Sequence, residues 1–255
     1  MKNLKNVFLA LIIAIFTVFI AQTLMASATD TLVLYLPFDE GSGTVVKDLS
    51  GKGNNGTVKG AKWVDGKINK ALEFDGKSFV DIPHSDSLSP TTNITVMAWV
   101  NMSKTANGEL AIVSKGKWAA NDLPYELTIT PGGTIFWQFY DDAGRDSCSP
   151  PSPSTAEWHH IAGTYDGSVF KCYVDGVMKM DWGYKGKIPQ NKSNVTVGKR
   201  STAEECYFVG MIDEVAIFSS ALTENEIKSA MTVIKPASVD AKGKLPLLWG
   251  KIKAE

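Results

Sequence analysis

The chain has 255 residues, with 26 lysines and arginines against 27 aspartates and glutamates, and a formal net charge of −1. Nucleic-acid binding needs a clustered basic surface, and this near-neutral balance argues against it. Cys148, Cys172 and Cys206 allow one disulfide with one thiol left over, and their spacing matches no zinc site.

The N-terminus has the pattern of a secretory signal peptide. Lys2 and Lys5 precede an apolar run over residues 7–21, and residues 26–28 (Ala-Ser-Ala) form a cleavage motif. We predict that residues 1–28 are removed and that the protein is secreted or displayed at the cell surface, in the periplasm or outside the cell. An uncleaved membrane anchor is the alternative, because the apolar stretch continues to Met25 with few interruptions. We expect no membrane span after cleavage.

From Thr31 onward the sequence has the period of two that is typical of β-strands. Short runs rich in β-branched and aromatic residues are bounded by turn residues. These runs cover residues 31–38, 71–82, 94–102, 110–116, 125–140, 157–182, 194–199 and 208–220.

Paired turn residues predict where strands reverse. Asp166-Gly167 and Asp175-Gly176 predict two-residue hairpin turns, which divide residues 157–182 into a three-stranded meander. Asp75-Gly76 and Gly132-Gly133 predict two further hairpins.

One short helix is predicted near the C-terminus, where Thr223 can cap it and Glu226 completes a capping box. One helix after more than ten strands indicates an all-β protein with two antiparallel sheets packed face to face. A closed barrel is the alternative, and the irregular strand lengths favour the sandwich. Residues 235–255 lose the strand pattern, so we predict a C-terminal tail after residue 234.

Four segments, in this order, closely resemble the bacterial laminin-G-like domains of the concanavalin A-like lectin/glucanase superfamily. They are residues 34–83, "ITVMAWV" (94–100), "EWHHIAGTYDGSVFKCYVDG" (157–176) and "GMIDEVAIFSSALTENEI" (210–227). The resemblance implies a two-sheet antiparallel jelly roll over residues 29–234. It also implies a non-catalytic module of secreted proteins that binds glycans or other extracellular ligands, although a fold alone never determines function.

The glycine-rich stretch "DLSGKGNNGTVKG" (48–60) suits a loop with unusual backbone angles. The resemblance implies a structural calcium where this loop meets the last strand. The implied ligands are the side chains of Asp39, Asp48 and Asp213, with carbonyls near Gly53 and Asn54. Calcium takes about six to eight oxygens from such groups, and an acid inside an apolar strand is costly to bury without a partner. Alternatively, the first two aspartates only stabilise turns through their own backbone.

Two loops offer the aromatic and polar side chains that sugar binding uses. Trp118, Asn121 and Asp122 lie in "KGKWAANDLPYE" (115–126), and Trp182 and Tyr184 lie in "DWGYKGK" (181–187). Aromatic faces contact apolar sugar edges while polar groups bind hydroxyls. We therefore predict that these five residues contact the ligand, the alternative being that the tryptophans belong to the core.

No catalytic residues are predicted. Retaining glycosidases need two carboxylates about 5–5.5 Å apart, which a strand supplies from acids on one face. The hydrolases of this superfamily carry Glu-x-Asp-x-x-Glu or Glu-x-Asp-x-Glu, and neither run occurs in this sequence. Asp213 and Glu214 are adjacent and are expected on opposite strand faces.

The sequence thus predicts a secreted module that binds an extracellular glycan or surface protein and holds calcium for structure. The alternative is a protein-interaction or scaffold domain tethered through the C-terminal tail. That tail contains five lysines and only two acidic residues, Asp240 and Glu255. A glycoside hydrolase is the third hypothesis.

Overall fold

The computed structural model describes residues 30–232. The predicted signal peptide and the tail of residues 235–255, with the scaffold hypothesis that depends on it, lie outside this range. Within the described residues, no helix has the length and apolar character needed to span a membrane.

The described part of the chain contains sixteen strands, one α-helix and a 3-10 turn (Asp86–Leu88). The helix α1 covers Glu224–Ala230. The strands are β1 (Leu32–Leu36), β2 (Val45–Val46), β3 (Gly56–Lys59), β4 (Lys62–Asp65), β5 (Lys70–Asp75), β6 (Phe79–Ile82), β7 (Ile94–Met102), β8 (Leu110–Lys115), β9 (Leu123–Ile129), β10 (Ile135–Asp141), β11 (Gly144–Cys148), β12 (His159–Tyr165), β13 (Val169–Val174), β14 (Val177–Gly183), β15 (Val195–Val197) and β16 (Val209–Phe218).

These strands form two antiparallel sheets of eight strands each. The first sheet has the order β14-β13-β12-β7-β16-β5-β4, with β1 also paired to β16. The second sheet has the order β11-β10-β9-β8-β15-β6-β3-β2. The predicted all-β, two-sheet antiparallel sandwich with one short C-terminal helix is confirmed.

Alternating apolar side chains from both sheets form the core between them. Trp137 of β10 is fully buried and its Nε1 donates to the Thr164 carbonyl of β12 at 2.9 Å, which ties the sheets together. The opposing residue is Gly163, where an added Cβ would lie 2.4 Å from the Trp137 ring. The two sheets therefore approach closely here because one of them lacks a side chain.

The long strand β16 has different partners on its two edges. Along one edge it pairs with β7, with an irregularity between Asp213 and Ala216. Along the other edge β5 covers Val209–Ile212, while β1 pairs from Val215 onward. Asp213 and Glu214 fall between these two partners, and Glu214 has a positive φ of 52°. This local break in the ladder brings two acids into the interior of the fold.

The predicted hairpins are confirmed in part. Asp175-Gly176 joins β13 to β14 with positive φ at both residues, and Gly132-Gly133 lies between the paired strands β9 and β10. Asp166-Gly167 belongs to a three-residue connection between β12 and β13. The Asp166 carboxylate stabilises it by accepting the N–H groups of Ser168 and Val169. Asp75-Gly76 is not a hairpin: it carries the chain from β5 in the first sheet to β6 in the second.

The helix prediction is confirmed in detail. The Thr223 side chain accepts from the Glu226 N–H while Glu226 accepts from the Thr223 N–H, which completes the capping box. Ile227 is buried in a second, smaller apolar cluster on the outer face of the first sheet, together with Tyr35 and Tyr173. The helix thus covers the sheet face opposite to the main core.

Two of the three cysteines face each other across the sandwich. Cys172 of the first sheet donates its thiol to the carbonyl of Cys148 in the second sheet at 3.3 Å. Both are buried free thiols, and burial raises the pKa of Cys172 well above its usual value. Cys206 lies elsewhere in a half-buried position.

Candidate ligand-binding site

A cleft of about 600 Å³ opens beside the turn of the β10–β11 hairpin, and we refer to it as the hairpin cleft. The turn forms because the Asp141 carboxylate accepts the Ala143 N–H at 2.9 Å and Gly144 adopts a φ of 123°. The segment that follows β14 supplies the opposite side. The polar and aromatic residues that line the cleft are Asn121, Asp141, Asp142, Tyr184, Lys185 and Lys187.

Two of the five predicted ligand contacts, Asn121 and Tyr184, line this cleft together. Asn121 has a φ of 57°, which asparagine tolerates better than most residues, and its amide donates to Asp142. The Tyr184 hydroxyl lies 2.7 Å from both carboxylate oxygens of Asp141. Burial and this carboxylate raise the pKa of Tyr184, so its hydroxyl remains a proton donor.

Asp122 and Trp182 have structural partners outside the lining of the cleft. Asp122 pairs with Lys117 at 3.0 Å and accepts from the Asn191 amide at 2.8 Å. The Trp182 indole donates to Asp146 at 2.6 Å, which joins β14 of one sheet to β11 of the other. The Trp182 side chain nevertheless stays 48% exposed, two residues before Tyr184.

Trp118 is exposed, but its ring already contacts two cations. The guanidinium carbons of Arg145 and Arg200 each lie 4.9 Å from the ring centroid. Tyr140 packs against it in an edge-on arrangement at 6.1 Å. The ring therefore supports two guanidinium groups beside the hairpin cleft, an arrangement that the sequence did not indicate.

The charged residues of the cleft were not singled out from the sequence. Asp141 and Asp142 face Lys185 and Lys187, and neither lysine forms a salt bridge within residues 30–232. The run "YDDAGRD" (140–146) reads only as a turn, and nothing in its spacing shows that it meets residues 184–187. The two segments come together because β11 and β14 are edge strands on the same side of the two sheets.

The structure divides the predicted calcium ligands between two loops, and Asp48, Gly53 and Asn54 belong to the first of them. Asp48 accepts the N–H groups of Tyr35, Ser50 and Asn54, each at 2.9 Å, and the Ser50 hydroxyl at 2.7 Å. The Asn54 amide nitrogen donates to the Val33 carbonyl at 2.7 Å. These donors fit the alternative in which Asp48 stabilises a turn through its backbone.

Asp39 and Asp213 instead meet at the loop of residues 66–70. Asp213 accepts the Ile68 N–H at 3.0 Å, and Asp39 accepts the Lys70 N–H at 3.2 Å and the Asn69 amide at 3.0 Å. Within residues 30–232, no three acidic, histidine or cysteine side chains are arranged as a metal site. The two aspartates offer oxygens of the chemistry that calcium prefers.

Glu214 adds a second buried carboxyl beside Asp213, whereas Asp39 is exposed. Its Oε2 accepts the Tyr35 hydroxyl at 2.5 Å. Burial, together with the charge of Asp39, raises the pKa of Glu214 to about 7. Burial likewise raises the pKa of Asp213 to about 7, and Glu214 contributes to that rise. The three acids therefore form a region where adding positive charge would be favourable.

Comparison with known proteins assigns the chain to a family. The sequence profile of a laminin-G-like family, in the concanavalin A-like lectin/glucanases superfamily, matches residues 74–228. The chain belongs to this family. A comparison with curated proteins found no match.

Solved structures share the fold of this laminin-G-like domain. The binding domain of Paraclostridial Mosquitocidal Protein 1 has 19% identity and a TM-score of 0.65 over 79% of this chain and 52% of its own. Domain 4 of AbnA, a GH43 extracellular arabinanase from Geobacillus stearothermophilus solved in complex with arabinotriose, has 21% identity and a TM-score of 0.63 over 78% of this chain and 98% of its own.

A third similar structure is the ligand binding domain of botulinum neurotoxin serotype D in complex with N-acetylneuraminic acid. It has 19% identity and a TM-score of 0.63 over 82% of this chain and 52% of its own. The laminin-G-like chain thus spans about half the length of the toxin domains that it matches. At identities this low, the structural similarity shows a shared fold and does not by itself show a shared function.

Proposed function

We propose that this laminin-G-like protein is an exported, non-catalytic module that binds an extracellular glycan in the hairpin cleft. The observation that supports the proposal is the composition of that cleft. An amide, two carboxylates and two lysines converge around Tyr184, with the half-exposed Trp182 nearby. Sugar sites combine such hydrogen-bonding groups for hydroxyls with aromatic surface for the apolar edge of the ring.

The similar structures support a carbohydrate ligand. The arabinanase domain was solved with arabinotriose, and the toxin domain with N-acetylneuraminic acid. The arabinanase is an extracellular enzyme. The export signal predicted at residues 1–28 agrees with an extracellular setting.

A binding role fits the cleft carboxylates better than hydrolysis does. Asp141 and Asp142 are consecutive residues of one turn, and both oxygens of Asp141 lie 2.7 Å from the Tyr184 hydroxyl. Glycosidases place two independently oriented carboxyls on either side of the scissile bond, one of them free to give up a proton. A carboxylate held by a tyrosine hydroxyl serves as an acceptor for that hydroxyl and for a sugar hydroxyl.

We also keep a structural calcium as part of the proposal, at Asp39 and Asp213 rather than at the glycine-rich loop. A divalent cation there would neutralise buried charge between β1, β16 and residues 66–70, and so stabilise the contact of the first and last strands. The hydrogen bonds to Asp48 support a loop of residues 48–54 that its own backbone stabilises.

The direct test is a glycan screen with the purified protein, followed by quantitative affinity electrophoresis against each glycan retained. Binding that falls when cleft residues are changed supports the proposal. Wild-type protein that binds no glycan, with or without calcium, overturns it.

A further inference from the structure

Arg145 is an exposed guanidinium that no carboxylate neutralises. It lies on β11, and among the described residues it forms no ion pair. Its Cζ lies 4.9 Å from the centroid of Trp118 and 4.8 Å from that of Phe136. Contacts with two aromatic rings hold the planar group in place while leaving its charge unpaired.

A buried chain of hydrogen bonds also orients Arg145. Its Nε donates to Gln138 Oε1 at 2.8 Å, and Gln138 Nε2 donates to Glu126 Oε2 at 2.8 Å. Gln138 and Glu126 are fully buried. Because Nε is engaged, the terminal nitrogens are the donors that remain for a ligand.

The neighbouring cation, Arg200, is in the opposite situation. It donates to both oxygens of Glu126 at 2.9 and 3.0 Å, and it pairs with Glu205 at 2.8 Å and Glu109 at 3.3 Å. Three carboxylates therefore surround Arg200 and neutralise its charge. The local charge balance is acidic, so Arg145 would select a ligand through its fork of donors rather than through a long-range positive field.

The position of Arg145 connects it to the hairpin cleft. It pairs with Tyr140 across the β10–β11 hairpin, and the next pair, Asp141 and Gly144, begins the turn that borders the cleft. Arg145 and Gly144 point to opposite faces of β11. The guanidinium connects to the cleft through the loop that carries Trp118, because Asn121 of the same loop lines the cleft.

We propose that Arg145 binds the anionic group of an acidic sugar, either a carboxylate or a sulfate ester, whose ring lies toward the hairpin cleft. The proposal rests on the proposed function, since it names the class of glycan. A planar guanidinium with two free terminal nitrogens matches the paired oxygens of a carboxylate or sulfate. Trp118 and Phe136 hold the fork in place and reduce the entropy lost when the ligand binds.

The test uses pairs of glycans, each with one acidic and one neutral member. Polygalacturonate with its methyl ester and sialyllactose with lactose test the carboxylate, and carrageenan with its desulfated form tests the sulfate ester. We expect wild-type protein to bind one acidic member about tenfold or more tightly than its neutral partner. Arg145→Gln should remove that preference. Arg145→Lys should remove it as well, because a lysine ammonium lacks the planar fork of the guanidinium.

The outcomes separate this inference from the proposed function. Lys179→Gln, which removes an exposed lysine from β14, is the matched control and should keep the preference. Binding to neutral and acidic partners alike, or full binding by Arg145→Lys, overturns the assignment of Arg145 while leaving a glycan-binding module. Binding to no member of any pair overturns both. Equal melting temperatures of the variants establish that a lost preference is not a folding defect.

Discussion

The Tyr35 hydroxyl donates a 2.5 Å hydrogen bond to Glu214, which joins the first strand of the sandwich to the last. The backbone N–H of the same tyrosine donates to Asp48 at 2.9 Å. Tyr35 therefore links Asp48 to Glu214, the neighbour of Asp213, and the resemblance implies that Asp48 and Asp213 share one calcium site. Its hydroxyl and the buried Glu214 carboxyl are coupled, since each shifts the pKa of the other.

Stability should depend on the protonation of Glu214. Burial raises its pKa from 4.5 to about 7, so the folded protein binds more protons than the unfolded chain between these pH values. The free energy of unfolding should therefore fall as pH rises from 4.5 to 7, by on the order of 3 kcal/mol relative to Glu214→Gln. Urea unfolding of both proteins in EDTA at several pH values measures the difference.

Subtracting the unfolding free energy of Glu214→Gln from that of wild type removes the competing contribution of His160. Burial lowers the pKa of His160 to about 3, so its contribution to the free energy of unfolding rises with pH up to about 6.5. That contribution is common to wild type and variant. Parallel pH profiles for the two proteins would contradict the buried, proton-binding state of Glu214.

Calcium should act through Asp213 and not through Asp48. If the ion is held at Asp39 and Asp213, millimolar calcium should raise the melting temperature of wild type by about 5 °C or more over EDTA. Asp213→Asn should abolish the shift. Asp48→Asn should lower stability, because four hydrogen bonds converge on that carboxylate, yet keep the calcium response. A wild-type melting temperature that is the same in both buffers argues against calcium.

The buried ion pair between Arg200 and Glu126 should contribute strongly to stability. Glu126 is fully buried and accepts two hydrogen bonds from Arg200. Glu126→Ala should cost about 3–5 kcal/mol of unfolding free energy, because it leaves a buried guanidinium with one partner fewer. Asp65→Ala, which removes the partner of Lys70 from an exposed ion pair, is the control and should change little. Guanidinium chloride unfolding compares them, and similar losses in both would refute the distinction.

The close approach of the sheets at Gly163 should not tolerate a methyl group. An added Cβ would lie 2.4 Å from the Trp137 ring, so Gly163→Ala should cost about 1–3 kcal/mol or more. Gly183→Ala is the matched control, since no atom lies within 4 Å of the added Cβ there. Chemical unfolding gives both values, and a neutral Gly163→Ala would mean that the sheets separate readily.

The fold was predictable because its signals are local. The period-two pattern, the Asp175-Gly176 turn and the Thr223–Glu226 capping box are each contained within a few residues. The hairpin prediction at Asp75-Gly76 was wrong, because a turn dipeptide indicates that the chain reverses but not which sheet the next strand joins. That choice is made by packing between distant segments.

The candidate site was predictable only in part, for the same reason. Asn121 and Tyr184 have the right chemistry and do line one cleft, but the role of Asp141 depends on a contact between residues 43 positions apart. Asp48 and Asp213 look alike in sequence as acids beside apolar runs. Their difference arises from where backbone N–H groups point, which no residue pattern reveals.

Affinity electrophoresis of wild type and one double variant tests whether the hairpin cleft binds a glycan. Asp142→Ala with Lys187→Ala removes opposite charges from the cleft and leaves the net charge unchanged. Lys59→Ala with Glu73→Ala removes the same charges from exposed strand positions as the control. We predict that the cleft variant loses about tenfold or more in affinity for the retained glycan while the control binds like wild type. Equal binding by both variants would contradict glycan binding in the hairpin cleft and place the ligand on another surface.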